Sequence, residues 1–286
     1  MSIRIVTDSA CDLPQATIDR YGIVVLPLHI NFAGQSLLDG VQITHADFYA
    51  RLPGCNPAPT TAAPGTDVFK LAYAGLERTG ASEILSIHIS ASLSAVTEVA
   101  RVAAREYRGV PVTVVDSGQL GRGVGFVVEA AAQAAAEGLP LPEVLARIED
   151  RIERTYVFAA LDTLEYLKHS GRMNGVMAGL GSLLQIKPIM HMHRGKATAE
   201  RVRTRSRARA RLIEILQQVG PVEQAVLLHT AAGGRAGEFQ AQAQPWLPPG
   251  PLPAVEITPV IGAHVGPGVV GLAVVAAQRP SGGGGS

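Results

Sequence analysis

The segment Gly262-Ala263-His264-Val265-Gly266-Pro267-Gly268 places one imidazole among glycines that let a backbone approach a ligand closely, with Pro267 stiffening the turn. A lone histidine is ordinarily structural. Loops on rigid scaffolds carry function disproportionately, so a binding role stands beside the structural one. Two further stretches, Pro59-Thr60-Thr61-Ala62-Ala63-Pro64 and Ile89-Ser90-Ala91-Ser92-Leu93-Ser94, set hydroxyls at the end of a loop or strand just before a helix. A hydroxyl there either caps the helix or joins its free N–H groups in holding an anion. Capping is the default for each alone. An anion site requires the two stretches and His264 to converge, which spacing cannot show.

Other candidate chemistry is weaker. Gly121-Arg122-Gly123-Val124-Gly125 follows a strand but lacks the G-x-G-x-x-G order of a dinucleotide fingerprint, so it reads as helix entry. His191 and His193 share one face of a strand, yet no nearby carboxylate or cysteine completes a metal set, and ordinary strand polarity is the simpler reading. No G-x-S-x-G elbow occurs. Between Arg194 and Arg211 lie eight basic residues against one acidic residue, Glu200. That run reads as a solvated strand and helix face, or as a surface for phosphate or an acidic partner; nucleic acid fits less well because no aromatics interleave with the arginines.

These residues sit on alternating strand and helix patterns, the layering of α/β proteins. Ile3 to Thr7 reads as a strand, followed by a helix entered through Asp12 and Pro14; Ile23 to Ile30 reads as a second strand. A Pro- and Thr-rich loop over 53–65 delivers Thr66 as cap of the next helix; Ile84 to Ile89 and Val112 to Val115 follow as strands, with Ser94 opening the helix between them. An Ala-rich helix and a helix over Leu141 to Arg154 lead to Tyr156, where the pattern turns from crossover units to hairpins. The expected division is an N-terminal α/β domain over 1–155, a C-terminal α/β domain over 156–280 and a flexible Gly/Ser tail over 281–286, which is set aside from fold reasoning. In the second domain, 186–204 reads as a hairpin turning at Arg194-Gly195-Lys196, and Ala225 to His229, Ala254 to Thr258 and Val269 to Ala276 as further strands.

Composition narrows the class. With 286 residues, 47% hydrophobic and 17% charged, the chain can bury a sizeable core and is far from a disordered polymer. A net charge of +1 argues against a dedicated nucleic-acid binder. Two cysteines, Cys11 and Cys55, support neither a disulfide framework nor a zinc site, and a reducing cytoplasm fits them. Arg4 and Asp8 interrupt the first apolar stretch, as a secretory signal would not tolerate, and the apolar tract over 269–277 is far below the roughly 20 residues of a membrane span.

Taken in order, several motifs resemble those of the DegV family of bacterial fatty-acid-binding proteins, the FakB-like acyl carriers. They are Val6-Thr7-Asp8-Ser9 with Asp12-Leu13-Pro14, Thr61-Ala62-Ala63-Pro64, Ile89 to Ser94, Val115-Asp116-Ser117, Leu164 to Lys168 with Gly171-Arg172, Ile186 to Ile189, Val202-Arg203-Thr204, and Gly262 to Gly268. The resemblance implies two α/β domains, each a mixed sheet flanked by helices, with a long-chain fatty acid in a tunnel between them. It implies that Thr61, Ser94 and His264 hold the carboxylate, with Thr60, Ser90, Gly262 and Gly266 as secondary candidates. It further implies no catalysis, no metal and no cofactor beyond the bound acid. The carrier would present its ligand to a separate fatty-acid kinase that makes the acyl-phosphate, with Arg203 and Arg172 on the surface facing that partner or the phosphate. Ala62, Gly65 and Ala95 depart from the family's T-S-Q-P-S and L-S-G-T patterns, while the three principal donors are kept. Donors of this kind to a carboxylate need no nucleophile or base, and their hydrogen bonds offset the desolvation of the charge. The alternative is an acyl hydrolase or transferase with Ser94 as nucleophile and His264 as base, for which an orienting Asp is the missing feature.

Overall fold

The computed structural model describes residues 2–172 and 186–279; the Gly/Ser tail lies outside them. Three sheets organise the chain. The first, in the order β2-β1-β6-β7, is wholly parallel and joins β1 (Ile3–Asp8), β2 (Val24–Leu26), β6 (Glu83–His88) and β7 (Val112–Asp116). Such a sheet is covered on both faces, so the near-continuous apolar runs of β1 and β6 follow from it. The second, in the order β10-β9-β8-β13-β11-β12, gathers strands that all lie after Arg154: β8 (Thr155–Ala160), β9 (Lys187–His193), β10 (Lys196–Val202), β11 (Val222–His229), β12 (Ala254–Glu256) and β13 (Val270–Ala276). It is antiparallel except where β12 joins β11 in parallel. A small antiparallel sheet, β4-β3-β5, joins β3 (His29–Phe32), β4 (Gln35–Leu38) and β5 (Thr60–Ala62).

The helices follow the same logic. Helix α1 spans Gln15–Tyr21, α2 His45–Arg51, α3 Thr66–Arg78 and α4 Val96–Glu106. Helix α5 (Arg122–Ala136) packs against β1 and β6 of the parallel sheet and against β8 and β13 of the large sheet. A helix packed between two sheets buries most of its surface and needs small apolar residues there, and this is why it is Ala-rich. Two of the run's glycines lie inside it, and a side chain at Gly123 would strike Val157. Helix α6 (Leu141–Arg154) packs on α5, and α7 spans Glu165–His169. The outer face of the large sheet is covered by α8 (Arg205–Val219) and α9 (Gly233–Ala243), and α10 (Pro259–Val265) leads into β13.

In β13 the period of two divides the core: Leu272 and Val274 face the outer cluster with Leu212 and Phe239, while Ala273 and Val275 join the main core. Both faces of that strand are therefore buried.

Four local expectations are corrected. The strand expected over 23–30 is two strands in different sheets, because Pro27 offers no N–H to a ladder. The Pro- and Thr-rich loop contains β5, whose Thr61 pairs with Ile30. Neither Asp12 nor Thr66 is the expected N-cap: the position before α1 is Pro14 and that before α3 is Gly65, while Asp12 is buried in the left-handed region at φ 47°. His264 stands in the last turn of α10 instead of a loop, since Pro259 presets the helical φ at its start and the helix ends only at Gly266.

Candidate functional site

A cavity of about 130 Å³ lies where the sheets and α10 meet. Its wall is drawn from both halves of the chain: Leu28, Ile89 and Leu93 from the first, and Val157, Ala159, Met190, Met192, Leu228, Val260 and Ile261 from the second. One water requires on the order of 10–15 Å³ by this measure, so the space suits a chain of apolar groups and is far larger than a gap for one or two waters. The polar side chains at its wall, among the described residues, are Asp12, Thr61, Ser94, Arg172, His191 and His264.

The three head-group candidates therefore converge on one cavity. Thr61 Oγ1 lies 2.9 Å from His264 Nε2. The other ring nitrogen, Nδ1, is shielded from solvent and has no hydrogen-bond partner. Burial, helped by the charge of Arg172, pushes the His264 pKa down to about 4. The ring is thus neutral at pH 7, with one N–H to give. If Thr61 donates its hydroxyl proton to Nε2, the ring N–H sits on Nδ1, the nitrogen left free. Ser94 precedes α4, whose N-cap position is Ala95. The Ser94 hydroxyl accepts a long 3.4 Å bond from the Val96 N–H and is otherwise available at the cavity wall.

Arg172, expected on the partner-facing surface, lines the cavity and donates to the Ser170 carbonyl at 2.8 Å. Arg203 is exposed at the end of the β9–β10 hairpin and lines no cavity described here. The secondary candidates sit elsewhere. Thr60 is exposed and accepts from Asn31 Nδ2 at 3.1 Å; Ser90 is buried and bonds Ser92 Oγ at 3.0 Å. Gly262 and Gly266 serve packing, because a side chain at Gly262 would overlap the Tyr49 ring and one at Gly266 the Tyr166 ring. His193 stacks on Tyr156 with centroids 4.0 Å apart, and His191 pairs with Glu200 at 3.1 Å.

The basic run is largely neutralised. Arg194 pairs with Glu153, Arg205 with Asp162, Arg207 with Glu214, Arg209 with Glu238, and Arg211 with Glu200. Sequence proximity overstated its positive field, because the fold brings carboxylates from other elements against it. Asp12 was read as a cap and is instead part of the cavity wall. No local signal separates these outcomes, since an aspartate before a helix suits either.

Among the described residues, no hydrogen bond joins Ser94 to His264, and no carboxylate orients the ring. Those residues do not assemble the Ser–His–acid relay of a hydrolase.

A family model described as "Uncharacterised protein, DegV family" matches residues 2–277. The chain belongs to the DegV family. A DegV domain-containing protein of Streptomyces coelicolor is 37% identical over 277 residues, covering 95% of this chain and 98% of the relative. Among solved structures, a DegV family protein from Thermus thermophilus, reported for its fatty acid binding, is 32% identical with a TM-score of 0.87, covering 96% of this chain and 100% of that one. DegV of Bacillus subtilis, reported as a fatty acid binding protein, is 25% identical with a TM-score of 0.85, covering 96% and 99%. The mixed α/β architecture expected from the sequence is that of these DegV structures. Among the described residues, no helix is long and apolar enough to cross a membrane.

Proposed function

We propose that this DegV protein binds a long-chain fatty acid in the cavity, with its carboxylate at Thr61, Ser94 and His264 and its tail along the apolar wall. The observation that carries the reading is the convergence of these three donors on one cavity whose remaining wall is almost wholly apolar. The fatty-acid binding reported for the Thermus thermophilus and Bacillus subtilis relatives supports it. Burying an acyl tail at ~0.8 kcal/mol per methylene yields on the order of 10 kcal/mol for about fourteen carbons before association costs. The tail thus supplies affinity and the head-group donors set orientation. Arg172, at the same wall, adds a positive charge for the carboxylate.

On this reading the protein is a cytoplasmic carrier without catalysis of its own. It presents the bound acid to a fatty-acid kinase, with Arg203 on the docking face. Its residues 1–155 and 156–280 act as two domains that enclose the ligand. Mass spectrometry of protein extracted under denaturing conditions tests the reading. A non-covalent long-chain acid is the expected result. An acyl adduct on Ser94, or turnover of an acyl ester, would replace the carrier with a Ser94–His264 enzyme.

A further inference from the structure

Asp12 stands in the cavity wall apart from the head-group donors. Its Oδ1 accepts a hydrogen bond from the Thr258 N–H at 3.0 Å. Its Oδ2 is shielded from solvent and has no hydrogen-bond partner. Gly121 lines the same cavity, and a Cβ built on it would stand 3.0 Å from that oxygen, so glycine here keeps a side chain from crowding Oδ2.

Buried polar atoms are nearly always partnered, and one left in an apolar wall costs free energy until something meets it. Burial, reinforced by the charge of Asp39 and opposed by the Thr258 bond and Arg122, raises the Asp12 pKa to about 8. The carboxyl therefore keeps its proton at neutral pH, and Oδ2 can donate as well as accept. A ligand hydroxyl matches both roles.

The position of this group relative to the head site follows from α10. Thr258, which Asp12 holds, precedes the helix, and His264 lies in its last turn. At a helical rise of 1.5 Å per residue the two are separated by roughly 9 Å along the axis. Asp12 is thus held at the start of α10, whereas His264 stands at its end.

We propose that the cavity recognises a fatty acid bearing a hydroxyl partway along its chain, which hydrogen-bonds Asp12 Oδ2 while Thr61, Ser94 and His264 hold the carboxylate. This inference rests on the fatty-acid reading above.

Calorimetric titration of the delipidated full chain tests it, using stearate and a series of hydroxystearates in which the hydroxyl moves stepwise from the carboxyl end. One mid-chain position should bind about ten-fold tighter than stearate, the effect of one added hydrogen bond to an otherwise unmet group. Asp12→Ala should abolish that difference. Asp12→Asn, which tolerates the left-handed backbone and keeps an acceptor for Thr258, should retain it. Stearate binding with no tighter position overturns the inference while leaving the fatty-acid reading intact, and this comparison needs no variant. A preference that survives in folded Asp12→Ala also overturns it. Failure of stearate and every hydroxystearate to bind overturns the fatty-acid reading itself, and this inference with it.

Discussion

Thr61 and His264 stand 203 positions apart in the chain, yet Thr61 Oγ1 and His264 Nε2 lie 2.9 Å from each other. One comes from an edge strand of the small sheet, the other from the last turn of α10. Helix α10 packs on β3 and β5, so this bond forms only when the small sheet docks against the segment leading into β13. The pair connects the docking of the small sheet to the arrangement of two of the candidate head-group residues.

If those donors hold a carboxylate, removing one leaves a buried anion short of a hydrogen bond, a loss of ~1–3 kcal/mol. Ser94→Ala and His264→Ala are each expected to weaken fatty-acid affinity by roughly ten-fold or more, with the circular dichroism spectrum unchanged. The double variant should be non-additive because both groups share one ligand. A fatty alcohol of equal length should discriminate less between native and variant proteins than the acid does. Unchanged acid affinity in both folded single variants would remove these residues from the site.

The two arginines singled out by sequence should now behave differently. Arg172 lines the cavity, so Arg172→Ala is expected to weaken fatty-acid binding. Arg203 is exposed and does not line the cavity, so Arg203→Ala should bind fatty acid like the native chain while acyl-phosphate formation by an added fatty-acid kinase falls. Equal losses of binding in the two variants would refute the division.

Asp12 and His264 set opposite pH dependences. The folded chain holds the Asp12 proton up to about pH 8 whereas an unfolded carboxyl loses it near 4, so this group lowers stability as pH rises between those values. The folded His264 stays neutral down to about pH 4 whereas an unfolded imidazole protonates near 6.5, so this group lowers stability as pH falls from about 6.5 to 4. Above pH 6.5 only the Asp12 contribution remains of the two. Urea unfolding should show Asp12→Asn with a flatter stability profile than the native protein between pH 6.5 and 8; parallel profiles would contradict the assignment.

A buried chain of polar groups ties the parallel sheet to α3. Asp8 Oδ2 is 3.0 Å from His88 Nδ1, His88 Nε2 is 2.6 Å from Ser86 Oγ, and Ser86 Oγ is 2.9 Å from Tyr73 Oη. Tyr73→Phe leaves Ser86 its histidine partner and should cost about 0.5–1.5 kcal/mol. His88→Ala opens a cavity and strips partners from both Asp8 and Ser86, and should cost several-fold more. Denaturant midpoints measure the order, and equal losses would show that the chain of bonds is not centred on His88.

Where signals are local, the sequence alone was sufficient. Helix Leu141–Arg154 has the bounds its periodicity predicts, because Pro142 suits a first turn and the apolar stripe repeats at helical spacing. The β9–β10 hairpin turns where expected, at Arg194 and Gly195, both in the left-handed region that a two-residue turn requires. The identities of Thr61, Ser94 and His264 as candidates came from the ordered motifs. Their convergence did not, since bringing them to one cavity closes long loops whose stability depends on everything packed around them.

Tertiary structure alone decided which strand joined which sheet, since Pro27 divides a run that reads as one strand and partner choice depends on surfaces distant in sequence. It decided that carboxylates of other elements, Glu153, Asp162 and Glu238, would meet Arg194, Arg205 and Arg209 of the basic run, because Coulomb attraction acts through space and not along the chain. It also turned Asp12 from an apparent helix cap into a buried wall residue held by Thr258. Residue type and local spacing determine which groups can donate, accept or carry charge; desolvation and packing determine which of them meet.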